Sequence, residues 1–454
     1  MTIPSQPDTA DLKDKNFRSL AQTIAVQTGL ALYPRSIAAT PEAVYFLGRQ
    51  GNKRYICAWG TKHGLKGEAY SVWFGEETVK AILCSAESSS LAQLRKKLGY
   101  LRPVRLGLVK LIGLGDRLGL ATPGHVQAVQ LGDMAPIFAQ PSVRENRRTS
   151  RTPQEVLDDA TLGAFQEGWT AGFGADADHV KYKDDLDTFI EAGYSFYTFD
   201  AGDHVNDQAH TASPAALKAG YEALPWPALA SSAADTLYTF THAPIYLGDR
   251  QLVISSLDLH KAAVKYSRAV AHTVTLAHHP ASKCLPDTYE IEMSVDKTNY
   301  PTSPAEHFYI ACELQRLGVK PISLAPRYSG RFEKGVDFIG STNEFAAEFE
   351  LHMAIARLTN DGLIHLKTAG TSYHISAEIA QAPNPQSLPD DQLAVLLDNF
   401  HIRQILHVTY GSVLQDAELK SRLLSTLKFY QPYYNKALLA HFSRHIQPFK
   451  DEVK

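Results

Sequence analysis

The sequence predicts an α/β fold built around a (β/α)8-like, TIM-type barrel with one strand missing, flanked by an N-terminal α+β region and a helical C-terminal region. Two observations carry this. From Pro103 onward, short apolar runs end in polar or glycine-rich residues and mostly lead into helical periodicity, the pattern of β/α units on a buried parallel sheet. Ionisable residues gather within and at the ends of those runs, where such barrels place their chemistry. The implied organisation is an N-terminal region of residues 1–102, a barrel domain of residues 103–380 and a helical region of residues 381–454.

The elements can be justified in chain order. In the first region, Ala43-Val44-Tyr45-Phe46-Leu47 and Ser71-Val72-Trp73-Phe74 are short apolar runs among turn residues, and Leu91–Leu98 is helix-like. Strand candidates then follow at Arg105–Ile112, Pro136–Gln140, Gly172–Val180, Ser195–Asp200, Tyr289–Val295, Ile322–Arg327 and Leu363–Lys367, seven where a closed barrel needs eight. Helix starts between them are legible. Thr152-Pro153-Gln154-Glu155 orders a capping threonine, a first-turn proline and a glutamate that reaches back, and Ser303-Pro304-Ala305-Glu306 repeats the arrangement. Gly318 ends the second of these helices before Ile322 opens a strand. Leu393, Val395 and Leu396, and later Leu423, Leu424 and Leu427, give the last region its helical reading.

Composition bounds the function. The chain of 454 residues is 44% hydrophobic and 20% charged, enough for one large core with accessory structure. Its 45 basic and 48 acidic residues leave a net charge of −3. No long stretch is strongly basic, which favours a small-molecule partner over nucleic acid or a membrane surface. Met1–Lys15 lacks the basic-then-apolar layout of a secretory signal, and no apolar stretch is long enough to span a bilayer, so a cytoplasmic location is expected. Cys57, Cys84, Cys284 and Cys312 show no C-x-x-C spacing, which argues against a disulfide framework or a cysteine zinc site.

Four ionisable clusters stand out: Asp176-Ala177-Asp178-His179, Asp200-Ala201-Gly202-Asp203-His204, Glu290-Ile291-Glu292 and Ile364-His365-Leu366-Lys367. A strand turns alternate side chains to one face, so Glu290 shares a face with Glu292, and Asp176 with Asp178. Charges directed into a barrel are costly unless they bind something. Imidazoles with carboxylates suit a borderline divalent ion such as Zn, Ni or Mn. The blander reading is a hydrogen-bonded structural histidine and aspartates that cap the next helix. Gly113-Leu114-Gly115-Asp116-Arg117-Leu118-Gly119 has its third glycine displaced from a dinucleotide loop, and Asp116-Arg117 would crowd a pyrophosphate. Arg144 to Arg151 offers guanidinium forks for a substrate carboxylate, or simply a solvated helix start.

Seven longer segments carry a resemblance: Gly113–His125, Phe138–Arg151, Phe165–Lys181, Phe199–Val205, Glu292–Pro304, His365–Tyr373 and Ile402–Asp416. In this order they resemble the tagaturonate/fructuronate epimerases, the hexuronate 4-epimerases. The resemblance implies an isomerase of hexuronate catabolism that interconverts D-tagaturonate and D-fructuronate with a divalent metal cation. By the same resemblance, Asp178 matches the catalytic base, His179 a metal ligand and Glu292 the catalytic acid. His365 is our own choice of a second ligand. Arg117 and Arg144 are candidates for the substrate carboxylate, with Asp116 and Lys367 in the same substrate-binding set. The two sugars differ at C4, two bonds from the C2 ketone, so simple enolisation cannot exchange that centre. Retro-aldol cleavage of C3–C4 followed by recondensation can.

The sequence departs from the family between Arg357 and Gly362, where only Leu358-Thr359-Asn360-Asp361 stands in place of a longer, histidine-bearing segment. A second shortening follows Tyr373. The first loss accounts for the missing strand, and an open sheet edge would favour a homo-oligomer. Two alternatives follow: an epimerase or aldolase for a related ketose, and a family member that binds a sugar acid without turnover.

Overall fold

The computed structural model describes residues 15–331, 338–359 and 416–446. The first part of the chain is an antiparallel sheet of β1 (Ala31–Leu32), β2 (Ala38–Ala39), β3 (Ala43–Gln50), β4 (Lys53–Gly60), β5 (Glu68–Phe74) and β6 (Glu77–Ser85), in the order β1-β3-β4-β6-β5 with β2 beside β3. Its continuous apolar run at β3 has a physical cause: both faces are covered. Val44 and Phe46 join Leu20 and Ile24 of helix α1 (Lys15–Gln27) in one core, while Tyr45 and Leu47 join Leu91 and Leu94 of α2 (Ser88–Lys97) in the main core.

The main sheet is parallel. Strands β7 (Leu111–Gly113), β8 (Ala135–Ala139), β9 (Gly174–Val180) and β10 (Phe196–Asp200) are followed, after a small hairpin of β11 (Ile245–Leu247) and β12 (Arg250–Leu252), by β13 (Glu290–Ser294) and β14 (Ser323–Ala325). Hydrogen bonding runs β7-β8-β9-β10-β13-β14, each neighbour parallel to the last. Spatial order thus follows chain order, as in a barrel wall. Among the described residues this wall has six strands, so the fold is mixed α/β with a partial barrel. The candidate strand at 363–367 lies outside the described residues.

Helices connect these strands: α3 (Thr122–Val129), α4 (Val143–Thr149), α5 (Pro153–Gln166), α6 (Lys183–Ala192), α7 (Pro214–Glu222), α8 (Ala233–Thr241), α9 (Ser256–Lys283), α10 (Pro304–Arg316) and α11 (Thr342–Thr359). Both capping boxes form: Thr152 accepts from Glu155 N–H and Ser303 from Glu306 N–H, with the glutamates bonding back. Each such cap is worth about 1 kcal/mol. Gly318 adopts φ 80° just beyond α10, supplying the left-handed residue that ends it. Near the C-terminus, α12 (Ala417–Phe429) precedes α13 (Gln431–Ile446), which packs on α3 so closely that a side chain at Gly124 would strike Leu438.

One strand expectation is corrected. Arg105–Ile112 is not a strand along its length; regular pairing begins only at Leu111. Pro103 bridges Phe173 in isolation, Gly107 takes φ 72°, and the chain between them is held by a side chain instead. Glu290 accepts the backbone N–H of Leu106 and Gly107 at 3.2 and 2.8 Å.

Candidate active site

Strand parity brings polar side chains of five consecutive segments together inside the sheet. Gln140, just past β8, donates to Asp176 Oδ2 at 3.1 Å, and Thr198 of β10 donates to Asp176 Oδ1 at 2.9 Å. The same Thr198 hydroxyl lies 3.5 Å from Glu292 Oε1, and Ser323 of β14 donates to Glu292 Oε2 at 2.7 Å. Asp176, Thr198 and Glu292 are fully buried. Two carboxylates at such depth demand dense hydrogen bonding, which this row supplies. The sequence reading singled out Glu292 but not Gln140, Thr198 or Ser323. Their signal was present, since Thr198 and Ser323 hold the inward parity of their strands, but hydroxyls there are commonly structural.

Glu290 and Glu292 do share a face, yet at different levels. Glu290, lower along the strand, ties down the Leu106–Gly107 chain, with Arg105 Nε 3.6 Å away. Only Glu292 joins the row.

At the strand ends, β9 is irregular. Tyr197 pairs with Ala177 but Phe199 with Val180, so β9 carries one extra residue against β10. His179 absorbs it at φ 57°, a left-handed conformation that costs a residue with a Cβ about 1 kcal/mol. Ala177 and Val180 keep the fully buried outer parity, and Asp178 with His179 occupies the interval. Asp178 Oδ1 contacts His179 Nδ1 at 2.9 Å, and Asp296 Oδ1 lies 3.9 Å from His179 Nε2. Asp200 stands beside them on β10. Burial opposes its ionisation, but the Lys297 ammonium at 2.6 Å, His179 and the Gly202 N–H outweigh this and hold its carboxyl below the usual range. The rest of that motif turns away: Asp203 pairs with Lys181 at 2.8 Å, and His204 stacks on His272 with centroids 3.9 Å apart.

The donor chemistry fits a divalent ion in part. A carboxylate on Nδ1 sets a ligating imidazole's tautomer and orientation, and Asp178 is so placed on His179. Among the described residues no three histidine, cysteine or acidic side chains converge to hold a metal. His365 and Lys367 lie outside the described residues.

Next to the row is a crevice lined by Asp116, Arg117, Gln140, Glu145, Asn146 and Arg151. Asp116 organises its rim: its carboxylate accepts the N–H groups of Leu118, Gly119 and Ala121 at 3.0, 2.8 and 2.7 Å. Arg151 donates to the Asp116 carbonyl and to Asp159, each at 2.6 Å. Arg117 pairs with Glu145 in the crevice, whereas Arg144 is exposed on the first turn of α4. The glycines of this loop serve packing. A Cβ at Gly113 would sit 2.3 to 2.7 Å from the Gln140 amide, and one at Gly119 would strike Asp159.

Comparison with known proteins matches this architecture. A family model described as tagaturonate epimerase matches residues 33–363 and 357–449, two stretches that overlap at residues 357–363. The tagaturonate/fructuronate epimerase of Thermotoga maritima is 34% identical over 474 aligned residues, covering 92% of this chain and 96% of its own. The native crystal structure of the fructuronate-tagaturonate epimerase of Cohnella laeviribosi superposes with a TM-score of 0.79 at 26% identity, covering 95% of this chain and 99% of that one. A glycerol complex of the same protein gives 0.81. On the family match and the T. maritima relative together, the chain belongs to the tagaturonate epimerase family of isomerases.

Proposed function

We propose that this chain interconverts D-tagaturonate and D-fructuronate by metal-dependent epimerisation at C4 through retro-aldol cleavage and recondensation. The observation that carries the reading is the buried row holding Glu292, set beside the Asp178–His179 pair at the strand ends of a family member. Asp178 removes the O4 proton as general base. The O4 electrons form the C4 carbonyl, the C3–C4 bond breaks, and its pair passes to the C2 carbonyl oxygen, leaving an enediolate and an aldehyde that carries the carboxylate. Rotation of the aldehyde presents its other face. The C3–C4 bond forms again, and Glu292 gives O4 its proton on the opposite side. A charged substrate end needs an anchor; Arg117, on the Asp116 loop, would supply it, with Arg144 and Lys367 as further cations. His179 and His365 would hold the divalent cation, Zn, Ni or Mn, whose chemistry when bound is that of a Lewis acid toward oxygens that gain charge.

The test is turnover of D-tagaturonate by purified chain stripped with chelator and then reloaded with each metal, with His179→Ala as control. Metal-dependent conversion lost with His179 supports the reading. The split family match at residues 357–363 favours a second one, a member that binds a sugar acid without turnover. Saturable binding of tagaturonate by the metal-loaded chain, without product, would select it.

A further inference from the structure

Among the described residues, the crevice beside the row holds one polar group without a partner, the amide nitrogen of Asn146. The other polar side chains that line it are engaged. Asp116 accepts three backbone N–H groups, Arg117 pairs with Glu145, Gln140 donates to Asp176, and Arg151 donates to Asp159 and to the Asp116 carbonyl. Thr149 donates to the Glu145 carbonyl at 2.8 Å. Asn146 is only 8% exposed, and its Nδ2 is enclosed with no acceptor. An amide nitrogen carries two donor hydrogens, and enclosing them unmet is unfavourable. A ligand that brings an oxygen into the crevice would meet them.

The position of Asn146 points to a particular oxygen. The chain leaves β8 beside the proposed base: the Pro141 carbonyl accepts the Asp178 N–H at 3.2 Å, and Ser142 bridges Asp178. Asn146 comes one helical turn later, its N–H bonded to the Ser142 carbonyl at 3.0 Å, and so stands about 6 Å farther along α4. Arg117, proposed for the substrate carboxylate, lines the same crevice. In a hexuronate the C5 hydroxyl lies between the C4 hydroxyl and the C6 carboxylate, the groups given to Asp178 and Arg117. We propose that Asn146 donates to the C5 hydroxyl oxygen and, with Arg117, holds the α-hydroxy carboxylate end of the substrate while C4 turns. The assignment rests on the epimerisation proposed for this site. After C3–C4 cleavage the aldehyde fragment consists of C4, C5 and C6, and inversion requires rotation about C4–C5. A carboxylate anchor alone lets the whole fragment swing away from the enediolate. A second anchor at O5 fixes C5 and C6 and leaves the one rotation that presents the other face of the aldehyde.

The experiment is calorimetric titration of the full chain, wild type and Asn146→Ala loaded with the same metal, with D-tagaturonate and with its 5-deoxy analogue. The wild type should bind the analogue more weakly relative to tagaturonate than the variant does, and the ratio of the two dissociation constants should differ between the proteins by about tenfold, the weight of one hydrogen bond. Ring closure through O5, open to tagaturonate and closed to its analogue, cancels in this comparison. In turnover, Asn146→Ala should release more of the three-carbon aldehyde acid per epimerisation, together with the dihydroxyacetone formed when the enediolate takes up a proton. Asn146→Leu, near in shape and without a donor, should match Asn146→Ala in both respects with an unfolding midpoint no lower than that of the wild type, and it decides alone if the alanine variant folds poorly. A ratio equal to that of the wild type in these variants overturns the assignment and leaves the epimerase reading standing. No saturable binding of tagaturonate to the folded wild type overturns both.

Discussion

Asp178 Oδ1 lies 2.9 Å from Nδ1 of His179, its neighbour in the chain, although successive residues of a regular strand point to opposite faces. The contact exists because His179 takes φ 57° at a bulge. Strain kept at one residue of a buried strand is a mark of function, and it separates stability from activity. His179→Gly should leave the unfolding midpoint unchanged or raise stability by about 1 kcal/mol, since glycine adopts this conformation freely. The same variant should lose metal from the purified protein and lower turnover about 100-fold or more. Metal analysis with urea unfolding checks both, and unchanged metal content would place the ligand elsewhere.

Arg117 offers a different separation. If it anchors the substrate carboxylate, Arg117→Gln should raise KM for tagaturonate about ten- to a hundred-fold, the weight of a charge-assisted hydrogen bond, with a smaller effect on kcat. Arg144→Gln, at an exposed position, should do less. Steady-state kinetics on both variants rank the two arginines directly.

Gly113→Ala tests the row from the crevice side. The added methyl group meets the Gln140 amide at 2.3 to 2.7 Å and must push it from Asp176. Turnover should fall about tenfold or more while the far-ultraviolet circular dichroism stays native, because a side chain moves and the strand does not. Equal activity would mean that Gln140 is not needed by Asp176.

Acid stability should report on α10 and α11. His307 and His352 are fully buried with their Nδ1 atoms 2.9 Å apart, a bond in which one ring must offer an unprotonated acceptor nitrogen. Burial pushes His352 down to about 4, against a partial opposing pull from Glu348, and burial together with His352 pushes His307 well down. Between about pH 6.5 and 4 the unfolded chain therefore binds protons that the folded chain refuses. Stability is present above pH 6.5 and is lost as pH falls toward 4. The thermal midpoint should drop across that window, and less steeply in His352→Gln.

Local chemistry was the legible part of the fold. The caps at Thr152 and Ser303 and the stop at Gly318 depend on residues within one helical turn, and the sequence reading placed them. It also found most strands of the parallel sheet, whose apolar runs are buried on both faces. It misread Arg105–Ile112, where apolar residues are held by a distant carboxylate, Glu290, rather than by pairing along their length. It put Asp176 and Asp178 on one face by regular alternation and did not foresee the bulge at His179, because a bulge is defined by register with β10, which no local pattern shows. The levels of Glu290 and Glu292 along the strand, and the row through Thr198 and Ser323, likewise depend on which strands become neighbours.

The most direct test is proton nuclear magnetic resonance of D-tagaturonate incubated in deuterium oxide with the metal-loaded chain and with the same chain after chelation. The account predicts D-fructuronate only with metal, hydrogen retained on C4, and loss of product in Asp178→Asn by about 100-fold or more. Deuterium at C4 would contradict cleavage between C3 and C4, and no fructuronate from a folded, metal-loaded chain would contradict epimerisation by this protein.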